Sequence, residues 1–129
     1  MALLQFHPVW GSTLTEKQKE AFFQAVQNLP PSSAECSAAL FRGKYKKNGG
    51  LVATVLLRTG LSHDLHIENI KVKILEGNTV IAEGIFSPNI HIYTDCAYPW
   101  SFVFSKERVY SVNSDPDKWH VFVSVLRDL

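Results

Sequence analysis

Histidines, cysteines and paired carboxylates are the side chains from which this sequence could build chemistry. The tightest group is His63, Asp64 and His66. Imidazole and carboxylate at short spacing suit a transition metal, which takes nitrogen and oxygen ligands. In an extended segment, however, Asp64 and His66 share a face and His63 points away. A metal site would need ligands from elsewhere, and a solvent-facing loop between strands explains the same residues more simply. Asp64 and Glu68 have the residue types of an acid/base pair, yet nothing places them across a substrate or raises one pKa. Asp115 and Asp117 flank Pro116 in what reads as a turn. The ordered oxygen ligands of a calcium loop are absent. Cys96 and His91 are the residue types of a nucleophile and base, but no feature orients the imidazole or supplies an oxyanion site. Cys36 has no nearby base. A disulfide between the two cysteines is one reading, and two reduced, inert thiols the simpler one. There is no nucleophile elbow and no phosphate-cradling glycine loop. No residue set for catalysis, metal or cofactor binding emerges.

The remaining candidates are interaction residues. Arg42, Lys44, Lys46 and Lys47 form the one basic cluster, and alternation puts the first three on one strand face. That stripe suits an acidic partner, or a solvated edge guarded against sheet-to-sheet aggregation. Trp10, Trp100 and Trp119 read as core or boundary anchors. Trp10 or Trp100, if exposed beside an apolar helix face, would mark a protein-binding surface.

The elements that must hold these residues belong to a chain of 129 residues and 14.5 kDa. That length suits one domain able to close a core without staples. Thirteen Lys and Arg against twelve Asp and Glu leave a net charge of +1, which argues against a strongly basic nucleic-acid binder. The first eight residues have no basic stretch followed by a long apolar run, so they are not a secretory signal. No apolar run approaches the roughly 20 residues that span a bilayer. A cytoplasmic location is the expectation.

One helix is predicted from Thr15 to Asn28. Thr15 is its N-cap, and Gln18 completes a capping box. Phe22, Val26 and Leu29 form an apolar stripe, widened by Phe23 and Ala25. Pro30 and Pro31 end it. Beyond them the period becomes two. Strands are predicted at 40–46, 51–58, 69–75, 79–86, 90–93, 100–104 and 119–126. Asn48-Gly49-Gly50 and Glu76-Gly77-Asn78 are turns. The apolar run at 51–58, broken by Thr54, reads as a central strand covered on both faces. In the strand at 79–86, Val80, Ala82 and Phe86 face one way, and Gly84 marks a bulge or a close backbone approach. Many short strands with Gly, Asn, Asp and Pro turns indicate a mainly β fold, an immunoglobulin-like or fibronectin-like β-sandwich. The arm and helix at 1–31 pack on a sandwich at 32–129, as a single domain.

Several motifs, taken in order, resemble a known family. They are Phe6-His7-Pro8-Val9-Trp10, Leu14-Thr15-Glu16-Lys17-Gln18-Lys19, Leu29-Pro30, Gly49-Gly50-Leu51-Val52-Ala53-Thr54-Val55, Ile81-Ala82-Glu83-Gly84-Ile85-Phe86, Pro99-Trp100-Ser101-Phe102-Val103-Phe104 and Trp119. Together they look like the SLAP domain of Gram-positive bacteria. That domain is found, often duplicated, in proteins associated with an accessory Sec system and S-layer assembly. The resemblance brings no catalytic residues. It marks Trp10, Pro99, Trp100 and Trp119 as positions of interest. The chain departs from the pattern in carrying one domain and in placing Thr59 after Arg58 where Asn is usual. The segment from His91 to Ala97, with Cys96, is also less typical.

The sequence thus predicts a non-enzymatic protein-interaction or assembly-associated module without a cofactor. Its partner is an unidentified protein or a further copy of the chain, not nucleic acid. Trp10, Arg42, Lys44, Lys46 and Trp100 are the candidate interaction surface. The alternatives are a small-ligand or carbohydrate-binding sandwich with a pocket at Trp100 or Tyr98, and a small hydrolase using His63, His66 or Cys96.

Overall fold

The computed structural model describes residues 3–7, 13–29 and 34–127. Among them, helix α1 (Glu16–Gln27) precedes most of the strands. Its start follows the capping chemistry. Thr15 Oγ1 accepts from the Gln18 amide at 3.1 Å, and Gln18 Oε1 accepts from the Thr15 amide at 2.9 Å. Two of the orphan N–H groups of the first turn are thereby satisfied. Thr15→Ala is expected to lower stability by about 1 kcal/mol, read as a shift in urea midpoint. An unchanged midpoint would mean that the cap contributes nothing. Pro30 and Pro31 lie outside the described residues.

Among the described residues there are nine strands, numbered in chain order. They are β1 (Leu3–Leu4), β2 (Ser37–Tyr45), β3 (Leu51–Arg58), β4 (Leu65–Ile67), β5 (Asn69–Glu76), β6 (Thr79–Phe86), β7 (Ile90–Ile92), β8 (Cys96–Phe104) and β9 (Trp119–Leu126). They form a sheet in the order β1-β8-β3-β2, a sheet in the order β6-β5-β9, and a short β4-β7 ladder. All pairings are antiparallel except β1 with β8. The fold is mainly β. Strands β3, β6 and β9 have their expected bounds, whereas β2 starts three residues earlier and β8 four. Ser37, Ala38 and Ala39 are weak strand formers, held there by pairing with β3. The segment around His66, read as a loop, is strand β4.

The inner faces of the two larger sheets share one apolar core. Leu51, Val55, Phe102 and Phe104 come from one sheet, and Ile70, Val72, Ile74 and Ala82 from the other. Leu65, Ile67, Ile90 and Ile92 of the short ladder join them. Trp119 is buried in the same core, and its ring edge meets Tyr45 with centroids 5.4 Å apart. Its six-membered ring lies against Gly43, where a Cβ would stand 2.5 Å from Cε3 and Cζ3. Only glycine permits that approach of strand to indole. At the turn after β2, Gly49 has φ +91, and the Gly50 amide donates to Asn48 Oδ1 at 2.9 Å.

The second apolar cluster lies on the outer side of the first sheet. There Phe22 and Val26 of α1 meet Leu56, Ala97 and Phe41, with Leu4 and Phe6 beside them. The helix covers only part of this face. Leu56 is buried, but Val52 and Thr54 are not, so β3 is fully covered on one face alone. The helical stripe is also narrower than the sequence suggested. Phe23 is 47% exposed, because the packed side of α1 is set by Phe22, Ala25 and Val26, with Leu29 just beyond its end.

Two irregularities reassign faces. In β2 the register shifts between Leu40 and Arg42, so Phe41 is an extra residue. Ala38 and Leu40 face the core before it, and Gly43 and Tyr45 after it. Phe41 and Arg42 consequently share the outer side, as a bulge requires. In β6 the shift leaves Ile81 as the extra residue, while Gly84 pairs regularly with Val72. Val80 is thereby moved off the Ala82–Phe86 row and pairs with Leu75. Gly84 instead marks a close approach, with the Phe86 ring 3.2 Å from where its Cβ would be.

Candidate functional site

Where α1 leaves the outer face of the first sheet, a groove of about 410 Å³ opens. Its floor is Leu14, Ala21, Phe22 and Phe41, with Thr13, Thr15, Gln18 and Thr54 supplying polar atoms. Phe22 and Phe41 stack with centroids 4.3 Å apart. The Arg42 guanidinium sits over the Phe41 ring at 5.6 Å. This placement follows from the bulge, which brings Phe41 and Arg42 to one side. Thr54 and Ser101 exchange a hydroxyl hydrogen bond of 2.8 Å across β3 and β8. Among the described residues, Lys17 and Arg42 line the groove and no carboxylate does. The arrangement can hold an apolar side chain on an aromatic floor and an anionic group at the rim.

The expected interaction residues separate in space. Arg42 and Lys44 are exposed on the outer side, as alternation predicts. Lys46 stands past the end of β2, in the turn whose closure is Lys46 N to Gly50 O at 2.8 Å. Trp100 faces the core with Phe102 and Phe104, with Tyr98 at 6.2 Å and His7 at 5.7 Å. It is part-buried and does not line the groove. Trp10 lies outside the described residues. Phe22 and Phe41 were not expected at a site. The one local signal was Thr54, a hydroxyl interrupting an apolar strand.

The titratable cluster assembles differently from its sequence spacing. β4 and β7 place His66 opposite His91, with ring centroids 6.1 Å apart. His91 Nε2 lies 3.4 Å from Asp64 Oδ2, and His66 Nε2 lies 2.7 Å from Asn89 Oδ1. His63 Nδ1 meets the Asp64 carbonyl at 2.9 Å. The Thr94 amide donates to Asp64 at 2.9 Å and, with His91 beside it, holds that carboxyl below its usual range. Among the described residues no group of three or more His, Cys, Asp or Glu is arranged to hold a metal ion. The cysteines are free thiols. Burial, then Glu35, pushes Cys36 up to about 12. Burial, then Asp95 and Asp64, pushes Cys96 up as well. Both shifts oppose formation of the thiolate.

Among the described residues, no helix is long and apolar enough to cross a membrane. The fold and the groove together define a mainly β module with a helix docked across one sheet. The SLAP domain model matches residues 4–125, and the chain belongs to that family. Comparison with curated proteins and with solved structures returned no match.

Proposed function

We propose that this chain is a non-enzymatic protein-interaction module, associated with accessory Sec or S-layer assembly and working in the cytoplasm. The helix–sheet groove carries the reading: an apolar aromatic floor lies beside Lys17 and Arg42, with no carboxylate among the described lining residues. Charge complementarity selects an acidic partner segment with one apolar anchor. Lys44 extends the positive rim along β2, and Lys46 ends it. The raised cysteine pKa values, and histidines engaged with Asn89 and Asp64, support a role without catalysis. Free thiols suit a reducing compartment. The orders β2-β3-β8 and β6-β5-β9 support an immunoglobulin-like or fibronectin-like sandwich, acting as one domain from 1 to 129. The groove volume also falls in the small-ligand range, but Trp100 and Tyr98 stand elsewhere.

Affinity capture from native lysate, run in parallel with the wild type and with the double variant Arg42→Glu, Lys44→Glu, tests the reading. A specific partner should be recovered by the wild type and depleted about tenfold or more in the variant. Equal recovery by both, or no specific partner with either, would overturn it.

A further inference from the structure

The outer face of the first sheet extends beyond the helix–sheet groove. Helix α1 covers it near Leu56 and Ala97. Past Phe41 the register of β2 is regular, and it sets what the open part carries. Arg42 pairs with Thr54, and Thr54 with Ser101. Lys44 pairs with Val52, and Val52 with Val103. Alternation sends both rows to the side of α1. Val103 is 51% exposed, so the second row sets an apolar step beside Lys44. Two residues on, Lys46 is exposed in the turn, with its stem 3.5 Å from where a Cβ on Gly50 would stand.

Arg42, Lys44 and Lys46 therefore stand in line at steps of two residues, about 7 Å each. Among the described residues, none of them forms an ion pair. Cations elsewhere do find partners. Lys71 meets Glu83 at 3.0 Å, Lys19 meets Glu16 at 3.9 Å, and Arg127 meets Glu35. A row of like charges without counter-charges raises the local positive potential.

The backbone edge of β2 is not what this row offers, because β9 packs there against Gly43 and Tyr45. Recognition on this face runs through side chains, and the charge complement of the row is a row of carboxylates.

We propose that the acidic partner segment is an extended chain with carboxylates on alternate residues, lying along β2 from the groove to the turn. This rests on the groove reading and adds to it the partner's conformation and spacing. The apolar anchor sits on Phe41, and successive carboxylates meet Arg42, Lys44 and Lys46. Side chains on one face of an extended chain repeat at about 7 Å, the spacing of the cations. Same-face residues of a helix lie about 5–6 Å apart, so a helical partner falls out of step along the row. Val52 and Val103 give the chain an apolar surface to lie on between the first pair and the last. Clustered cations reading an acidic motif are a recurring mode of peptide recognition.

A synthetic peptide of phenylalanine followed by three serine–glutamate repeats is the probe, titrated into the full chain and read by amide chemical shifts. A second version keeps the first glutamate and carries glutamine for the others. A third has the same composition with its glutamates consecutive at the far end. Each is also made in reversed order. Exposed ion pairs are individually weak, about threefold in affinity each. The alternating peptide should therefore bind about tenfold tighter than the single-glutamate version, and about threefold or more tighter than the isomer. Lys46→Glu should weaken the alternating peptide about fivefold and leave the single-glutamate version unchanged. Lys73→Glu, the same charge change on the outer face of the β6-β5-β9 sheet, should affect neither. The proposal is overturned by no gain from the further glutamates, by equal binding of the isomer, by an unchanged affinity in Lys46→Glu, by an equal loss in Lys73→Glu, or by transferred NOEs of a helical bound peptide. In each of these cases, binding of the single-glutamate version that Arg42→Glu abolishes would leave the groove reading standing. No binding by any peptide would overturn both.

Discussion

Trp119→Ala is expected to cost about 3–5 kcal/mol of folding stability, a large part of a domain's usual margin. The indole is 4% exposed and joins the two sheets where β9 packs against Gly43 and Tyr45 of β2. Its loss would open a cavity against Gly43 and Tyr45, which cannot collapse because Tyr45 is held elsewhere. The Tyr45 hydroxyl donates to the Ser111 carbonyl at 2.7 Å and accepts from the Ser114 amide at 3.1 Å. Trp119 Nε1 donates to Ser114 Oγ at 2.8 Å, and that hydroxyl donates to Glu76 Oε1 at 2.7 Å. The alanine variant therefore loses packing and one member of a part-buried polar network. Urea denaturation reads the loss as a lower midpoint at similar slope. A cost under about 1 kcal/mol would mean that the two sheets are held together without the indole.

Phe22→Ala is expected to remove about 3 kcal/mol, mainly by undocking α1. Phe22 is 5% exposed, stacks on Phe41 and meets the Phe6 ring edge-on at 6.1 Å. The cluster it anchors is distinct from the core between the sheets and lies across β2, β3 and β8 from it. Local opening should then decouple from global unfolding. Native-state hydrogen exchange should show amides of α1 losing protection, while those of Leu51–Arg58 keep theirs. Uniform loss across both elements would mean that helix and sheets unfold as one unit. Because Phe22 forms the groove floor, the variant should also lose capture of any partner held there.

Much of the architecture was legible in local pattern. The capping box at Thr15 and Gln18, the turn at Asn48-Gly49-Gly50, and the bounds of β3, β6 and β9 all follow from residues near in sequence. The same is true of the burial of Trp119, the exposure of Arg42 and Lys44, and the family resemblance that the SLAP match bears out. The candidate groove was less legible. Phe41 has no periodic reason to share a face with Arg42, and Phe23 looks as apolar as Phe22.

What the sequence by itself determined about this protein is its alternation, its caps and turns, its near-neutral charge and its family. These depend on neighbours a few residues apart, whose backbone geometry the side chains constrain directly. Only the tertiary structure decided the two bulges, the Phe41–Arg42 face, the approach of Gly43 to Trp119 and the His66–His91 pairing. Each of these is a matter of register between strands distant in sequence. A shift of one residue turns every side chain beyond it to the other face, and the energy that selects the shift lies in the partner strand.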